Sequence, residues 1–254
     1  MSSIRKETLL YSVIIPVYNR PEKILRSASS VISQTYRNFE LIIINDGSND
    51  KTKEIIDELC TKDKRIKVKH LDKNEGVIAA RNEGIKLSEG DIICYLDSDD
   101  IWYNEMLEKI NYYYLKGEKA VSTGFKIVDE KSNKLKNIVK YQNTLVNWRN
   151  LLNQNKANCL TGSHLNIFKN QIYFKNFLRE DFVYWLDIGM RINIRCIPDV
   201  LAEYRTHKGS RSSSKFAMLF FQWYVYRRYL NFNFLISLYH IIIWIYKGIK
   251  RYYR

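Results

Sequence analysis

Cysteine, proline and glycine are scarce in this sequence, with 4 Cys, 3 Pro and 10 Gly among 254 residues. So little proline and glycine excludes a collagen-like or low-complexity chain. The cysteines at positions 60, 94, 159 and 196 form no CxxC pair, which predicts a reducing compartment and argues against a disulfide framework or a zinc site. No Walker loop, GxGxxG or HExxH motif is present, so the P-loop ATPase and dinucleotide dehydrogenase classes lose their main support.

Long apolar runs are also missing. The longest nearly unbroken run covers residues 234–246 and is 13 residues long, whereas a membrane-spanning helix needs about 20. The first ten residues are polar and charged, so we expect no signal peptide. With 46% hydrophobic residues, the chain has enough apolar side chains for one large folded domain or two small ones.

The net charge of +14 is concentrated in the second half of the chain. Residues 1–100 carry 16 basic and 17 acidic side chains, residues 101–202 carry 15 and 9, and residues 203–254 carry 10 and 1. A nucleic-acid-binding protein, which the sequence pI of 9.5 would otherwise favour, is not expected to have a neutral first half. A neutral half with a basic, aromatic end favours attachment to an anionic surface.

The first hundred residues alternate between short β-branched runs and helical patterns. The runs at 11–17, 39–44, 66–71 and 91–96 predict buried strands, and helices are predicted from Pro21, over 51–60 and over 76–87. This βαβ series predicts an α/β fold with a mostly parallel sheet covered by helices. Polar residues follow three of the strands, at the edge where such sheets bind ligands.

The second half is less regular. Helices are predicted over 102–115, 144–153 and 180–192, and strands over 120–128 and 196–204, the last interrupted at Pro198. Residues 129–136 are predicted to form a polar turn. From Phe216 onward the chain is rich in aromatic and aliphatic residues interleaved with Lys and Arg.

Three carboxylates occur in four positions directly after the fourth strand, in the sequence Asp97-Ser98-Asp99-Asp100. Like charges this close repel one another unless a cation lies among them, so a divalent metal ion with oxygen ligands is one interpretation. A solvated acidic turn at the start of the next helix is the other. The residues alone leave the two equally supported.

Five further side chains are candidates for chemistry. Asp46 follows the second strand and either accepts hydrogen bonds from a nucleotide or forms a turn. Arg81, on a predicted helix, either reaches a phosphate or is solvated. The pair Glu180-Asp181 begins a helix rich in apolar residues and either supplies a general base or caps that helix. His207, alone in a loop, is more often structural than a ligand.

Six stretches of the chain together carry a resemblance. They are VIIPVYNR (13–20), SVISQTYRNFELIIINDGSND (30–50), NEGVIAARNEGI (74–85), DIICYLDSDD (91–100), REDFVYWLDIGMR (179–191) and YRTHKGSRS (204–212). In order and spacing the chain resembles the inverting family 2 glycosyltransferases that assemble bacterial capsule, lipopolysaccharide and teichuronic-acid sugars. The resemblance is dense over residues 10–105, thinner over 179–212, and does not cover 110–178 or the tail.

The resemblance implies a GT-A fold and transfer of a sugar from a nucleotide sugar, usually a UDP-sugar, with inversion. It assigns Asp181 as the general base and Asp97-Ser98-Asp99 as the family's DXD motif, which holds Mg²⁺ or Mn²⁺. The residues that it implies for binding the nucleotide sugar are Pro16, Val17, Tyr18, Asp46, Arg81, Asp97 and Ser98. The metal set that it implies is Asp99, Asp97 and His207, and weaker acceptor contacts are Glu180 and Trp185.

We expect a catalytic domain at 1–215, divided into a nucleotide-sugar-binding half (1–105) and an acceptor-binding half (106–215). Residues 216–254 are expected to form a basic, aromatic helical tail that either lies on a membrane or pairs two copies in a homodimer. The expected acceptor is a lipid-linked saccharide, and the expected location is cytoplasmic, peripheral on the inner face of the bacterial cell membrane.

Three alternative functions remain at this stage. Within the family, the sugar could be transferred to polyprenyl phosphate itself. A nucleotidyltransferase could share an acidic metal site on an α/β sheet, but it usually carries a glycine-rich loop where this chain has Tyr18-Asn19-Arg20-Pro21. A nucleic-acid-binding protein would show salt-sensitive binding along a basic groove.

Overall fold

The first half of the chain folds as a parallel sheet with helices on both faces. The computed structural model describes residues 8–206 and 215–252. The strands of this half are β1 (Tyr11–Val17), β2 (Phe39–Asn45), β3 (Ile66–His70) and β4 (Ile92–Tyr95). They are parallel in the order β3-β2-β1-β4. The helices between them are α1 (Pro21–Ile32), α2 (Thr52–Lys62) and α3 (Val77–Leu87). The predicted βαβ series is confirmed.

The second half extends the same sheet with strands of both directions. It adds β5 (Ile101–Trp102), β6 (Ala120–Asp129), β7 (Leu135–Val139), β8 (Thr144–Val146), β9 (Gly162–Leu165) and β10 (Ile194–Thr206). Its helices are α4 (Met106–Leu115), α5 (Trp148–Asn153), α6 (Glu180–Arg191), α7 (Lys215–Tyr224) and α8 (Phe234–Tyr252). Strand β9 joins β4 to β6, antiparallel to both, and β6 pairs with β10 in parallel.

Three boundaries in the second half differ from the sequence prediction. The helix predicted over 102–115 begins only at Met106, because Ile101 and Trp102 pair with β10. The helix predicted over 144–153 is a short strand followed by a helix that Asn147 caps. Strand β10 continues through Pro198, where the register against β6 shifts, so the missing N–H is accommodated by a bulge.

A buried chain of hydroxyl and imidazole groups crosses the core between β4, β9 and α6. The Tyr95 hydroxyl lies 2.7 Å from that of Tyr184, which lies 2.7 Å from Nε2 of His164. Nδ1 of His164 donates to the carbonyl of Leu165 at 2.8 Å, so Nε2 is left to accept. Because each buried polar atom has a partner, this network fixes α6 on the sheet.

His164 is expected to make stability depend on pH. Burial lowers the pKa of its imidazole to about 4, from an ordinary value of 6.5. Between these values the unfolded chain binds a proton that the folded chain does not, so stability falls as pH is lowered through this window. Denaturation at pH 7 and pH 4.5 should differ by about 2–3 kcal/mol more in the wild type than in His164→Gln. Equal differences would contradict this.

The tail packs on the preceding part of the chain through α5. The hydroxyl of Tyr226 donates to the carbonyl of Leu152, and Nδ1 of His240 lies 3.0 Å from Oδ1 of Asn153. Ser237 and Ile241, one turn apart on α8, are buried on the same side. Within 8–206 and 215–252, no helix combines the length and hydropathy that crossing a membrane requires.

Candidate active site

The loops after β1 and β2 are joined into one edge of the sheet. The side chains of Asn19 and Asn49 are linked twice, because Nδ2 of Asn19 donates to Oδ1 of Asn49 at 2.8 Å and the Asn49 N–H donates back at 3.0 Å. The hydroxyl of Ser48 accepts from the Asn19 N–H. Tyr18, next to this contact, has a side chain that is 40% exposed. Pro16 and Val17 are buried at the end of β1, directly before Tyr18.

Asp46 is buried and holds the loop that leads into α3. Its two carboxylate oxygens accept the backbone N–H groups of Glu75 (2.8 Å) and Gly76 (2.9 Å). Gly47 has φ +67°, and a Cβ there would lie 2.3 Å from the carbonyl carbon of Lys73, so this close approach requires glycine. Asp46 therefore fixes the start of the helix that carries Arg81.

Arg81 joins the turn after β4 to the start of α6. It is only 4% exposed, its Nη2 lies 2.6 Å from Asp97, and its Nη1 lies 3.7 Å from Glu180. Burial opposes the charge of the guanidinium, but the carboxylates of Asp97 and Glu180 hold its pKa above the ordinary value. Nε and Nη1 have no hydrogen-bond partner within the described residues. Two buried N–H groups of Arg81 are thus without a hydrogen bond among the described residues.

The acidic turn separates into surface and interior carboxylates. Asp99 forms an ion pair with Arg20 at 2.7 Å, and the same guanidinium lies 3.5 Å from the hydroxyl of Ser98. Asp100 is fully buried and accepts the Arg205 N–H at 2.8 Å, which ties the turn to the end of β10. Burial raises the pKa of Asp100 well above its usual range, and the neighbouring carboxylates add to this effect. Asp97 and Asp99 therefore face the site, and Asp100 supports the turn.

Asp181 lies half-buried in the first turn of α6, beside the acidic turn. It forms no hydrogen bond or ion pair with the residues at 8–206 and 215–252. The buried thiol of Cys159 responds to the charges around it. Burial raises its pKa, the positive charge of Arg81 lowers it, and the carboxylates of Asp181, Asp97 and Glu180 raise it further. Because such effects fade with distance, Arg81 and the three carboxylates all lie in the neighbourhood of the Cys159 thiol.

The carboxylate oxygens at this edge of the sheet partly fit the ligands of a divalent cation. Carboxylate oxygens are the ligands that Mg²⁺ and Mn²⁺ prefer, and Asp97 and Asp99 supply them two positions apart. Within the described parts of the chain, no three His, Cys, Asp or Glu side chains group as a metal site. His207, the third predicted ligand, lies outside the described residues.

Not every predicted residue reaches this edge. Trp185 is fully buried, and its ring fills the space beside Gly162, so in this structure it offers no surface to an acceptor. Conversely, two residues without a predicted role take part. Arg20 pairs with Asp99, and the ring of Phe174 lies 5.1 Å below the guanidinium of Arg81. Arg20 belongs to the stretch at 13–20 that carries part of the family resemblance. Phe174 lies within 110–178, which the resemblance does not cover.

The sequence matches a glycosyltransferase family model and individual glycosyltransferases. The sequence model described as Glycosyl transferase family 2 matches residues 12–182. An Escherichia coli protein named UDP-Glc:alpha-D-GlcNAc-diphosphoundecaprenol beta-1,3-glucosyltransferase WfgD is 33% identical over 95% of this chain and 94% of its own length. The putative teichuronic acid biosynthesis glycosyltransferase TuaG of Bacillus subtilis is 31% identical over 89% of this chain and 90% of its own.

Several solved structures share this fold. Staphylococcus aureus TarS (residues 1–349), solved with UDP-GlcNAc, superposes with a TM-score of 0.67 at 22% identity, over 84% of this chain and 66% of that one. The mannosyltransferase PcManGT of Pyrobaculum calidifontis, solved with GDP-Man and Mn²⁺, gives 0.66 at 16% identity, over 89% and 65%. The predicted GT-A fold is confirmed.

Proposed function

This chain belongs to glycosyl transferase family 2 and is a glycosyltransferase, and we propose that it moves a sugar from a UDP-sugar to a hydroxyl of a lipid-linked saccharide in bacterial surface polysaccharide synthesis. The observation that carries this proposal is the position of Arg81, between Asp97 of the acidic turn and the helix that begins with Glu180 and Asp181. The name of WfgD contains a UDP-sugar and a lipid-linked saccharide, which supports the substrate classes, and the name of TuaG supports a role in surface polysaccharide synthesis.

The donor side of the proposal rests on charge. The diphosphate of a UDP-sugar or of UDP carries two or three negative charges. Arg81 offers it two buried N–H groups without a hydrogen-bond partner in the described structure. Such donors lie in a region of low dielectric, where their effect on a leaving diphosphate is large. Tyr18 and the edge that Asp46 organises would receive the base, and Asp97 and Ser98 the ribose and sugar.

A divalent cation is part of the proposed site. Asp97 and Asp99 would hold it, with His207 as a third ligand. When bound, the cation would neutralise negative charge that develops on the leaving diphosphate. In the structure described here Arg20 and Arg81 neutralise the two carboxylates, which supports the view that this turn requires positive charge.

The acceptor side of the proposal rests on Asp181. A general base must be within hydrogen-bond reach of the hydroxyl that it deprotonates, and it must not be occupied by another donor. Asp181 meets the second condition in the described structure. A base opposite the leaving diphosphate favours in-line attack on the anomeric carbon, which inverts its configuration and needs no enzyme nucleophile.

Metal dependence provides the first test. We expect excess chelator to abolish transfer and Asp99→Asn to lower kcat/KM by at least about 100-fold, because both remove charge compensation for the diphosphate. Asp63→Asn is the matched control, since Asp63 forms a similar carboxylate–arginine pair with Arg65 far from the site. Full activity in excess chelator would contradict a role for the cation.

The substrates can be assigned by a panel experiment. Purified protein is incubated with UDP-, GDP- and dTDP-sugars, with either a lipid-linked saccharide or polyprenyl phosphate as acceptor, and products are detected by mass spectrometry. We expect a product from a UDP-sugar and the lipid-linked saccharide. A product only from polyprenyl phosphate would retain the reaction and change the acceptor.

We also propose that the tail attaches the enzyme to the cytoplasmic face of the membrane, where a lipid-linked acceptor is found. Helix α8 exposes a row of large apolar side chains, and no acidic residue follows Glu203 in the sequence. Trp, Tyr and basic residues together suit the membrane interface. The alternative occupant of this face is a second copy of the chain.

A further inference from the structure

A recess of about 290 Å³ lies between β8, α5 and the end of α8, apart from the candidate active site. It is lined by Thr144, Leu145, Val146, Arg149, Asn150, Asn153, Gln154, Lys156 and Lys247. Helix α6 separates the two sites, because Asp181 begins it and Gly189, near its end, contacts α5. These two residues are eight positions apart on α6, ~12 Å along the helix axis, so the recess is not part of the proposed sugar-transfer site.

The recess carries positive charge without a counter-charge. Arg149, Lys156 and Lys247 line it, and no carboxylate does. None of these three cations forms an ion pair within the described parts of the chain. Asn150 and Gln154 add amide groups that can donate hydrogen bonds. Three cations with amide donors form a set that recognises a phosphate group.

Helix α8 brings an apolar surface to the edge of this recess. We define its outer stripe as the exposed side chains Leu235, Leu238, Tyr239, Ile242, Ile245 and Tyr246. These positions recur at helical spacing, on a different side of α8 from the buried Ser237 and Ile241. Lys247 directly follows the last residue of the outer stripe. On a helical wheel it lies between the outer stripe and the buried side of α8. The recess therefore begins where the apolar stripe ends.

We propose that this recess binds the phosphate of an anionic phospholipid headgroup while the outer stripe of α8 lies in the membrane interface. The inference rests on the proposed membrane attachment and adds to it a specific site. Its basis is complementarity, because a phospholipid presents one phosphate at the boundary of an apolar layer, and the chain presents cations at the boundary of an apolar stripe. A soluble phosphate would use the cations but not the stripe.

Flotation with vesicles tests the site. Full-length protein is mixed with vesicles of phosphatidylcholine alone or with added phosphatidylglycerol. We expect the triple variant Arg149→Gln, Lys156→Gln, Lys247→Gln to bind the anionic vesicles about 100-fold more weakly than the wild type, because each cation near an anionic surface contributes several-fold. Its thermal stability and its hydrolysis of soluble donor should be unchanged.

A control with the same loss of charge separates a site from general attraction. Lys53, Lys64 and Lys109 are exposed and lie on or beside other helices. Their triple glutamine variant should lose less than about fivefold in binding, since these cations lie away from the recess. Equal losses in the two triple variants would overturn the headgroup site and leave membrane attachment intact.

Further measurements distinguish a phospholipid from a soluble anion or a second copy of the chain. Ile242→Gln with Leu238→Gln removes part of the outer stripe, and we expect it to weaken binding to both kinds of vesicle. If the wild type binds no vesicle, the proposed attachment itself fails. Binding of inorganic phosphate in the recess without vesicle binding would assign a soluble anion, and a stable dimer that loses its contact in the stripe variant would assign a second copy. Either result overturns the lipid site.

Discussion

Asp181→Asn is expected to lower the turnover number for sugar transfer by about 10²–10⁴-fold and to leave the fold and donor affinity unchanged. An asparagine side chain has the same shape but cannot accept the proton of the acceptor hydroxyl. Because the carboxylate forms no hydrogen bond or ion pair with the described residues, its replacement removes no such bond among them. Steady-state kinetics with saturating donor and acceptor, together with calorimetric titration of UDP, measure both quantities.

Asp199→Asn is the matched control for this variant. Asp199 lies on β10 and is also partly buried, so the control tests whether any aspartate lost from this half of the chain lowers activity. We expect wild-type turnover. If Asp181→Asn also turned over at a near-normal rate, Asp181 would not be the base.

Arg81→Met is expected to have the second largest effect, on both donor binding and stability. The change leaves the carboxylates of Asp97 and Glu180 close together without the cation between them. Removing one partner of a buried ion pair costs about 3–5 kcal/mol; Asp97 is partly exposed, so we expect about 3 kcal/mol. Urea denaturation measures this loss, and UDP affinity should fall by at least about 100-fold because the phosphate loses a charged donor.

Arg81→Lys separates the two roles of this residue. Lysine keeps the charge but not the planar fork, so it should recover much of the stability while donor affinity remains reduced. If Arg81→Met bound UDP as tightly as the wild type, the guanidinium would be a structural group only, and the donor site would have to be elsewhere.

Strands β1, β2 and β4 could be predicted from sequence because they are buried on both faces. Runs such as YSVIIPV and FELIIIN are apolar except for Ser12, Glu40 and Asn45, and polar turns end them sharply. Strand β9 was missed because its sequence, GSHL, has no β-branched residue and is defined by pairing with β4 and β6. The division of 144–153 into strand and helix depends on pairing with β10 in the same way.

The candidate site was predictable in composition but not in its contacts. The carboxylates after β4 and at the start of α6 could be found from the sequence because strand ends and helix starts are visible in it. That Asp46 holds residues 75 and 76, or that Phe174 lies under Arg81, depends on loops brought together from distant positions. No local pattern encodes such contacts.

A crystal structure of the wild-type chain with an unreactive UDP-sugar analogue and Mn²⁺ tests the central claim most directly. We expect anomalous density for the metal between the diphosphate and the carboxylates of Asp97 and Asp99, the diphosphate within hydrogen-bond distance of Arg81, and Asp181 facing the open side of the anomeric carbon. A diphosphate bound at another surface, or a sugar that leaves Asp181 in a separate cavity, would contradict the account.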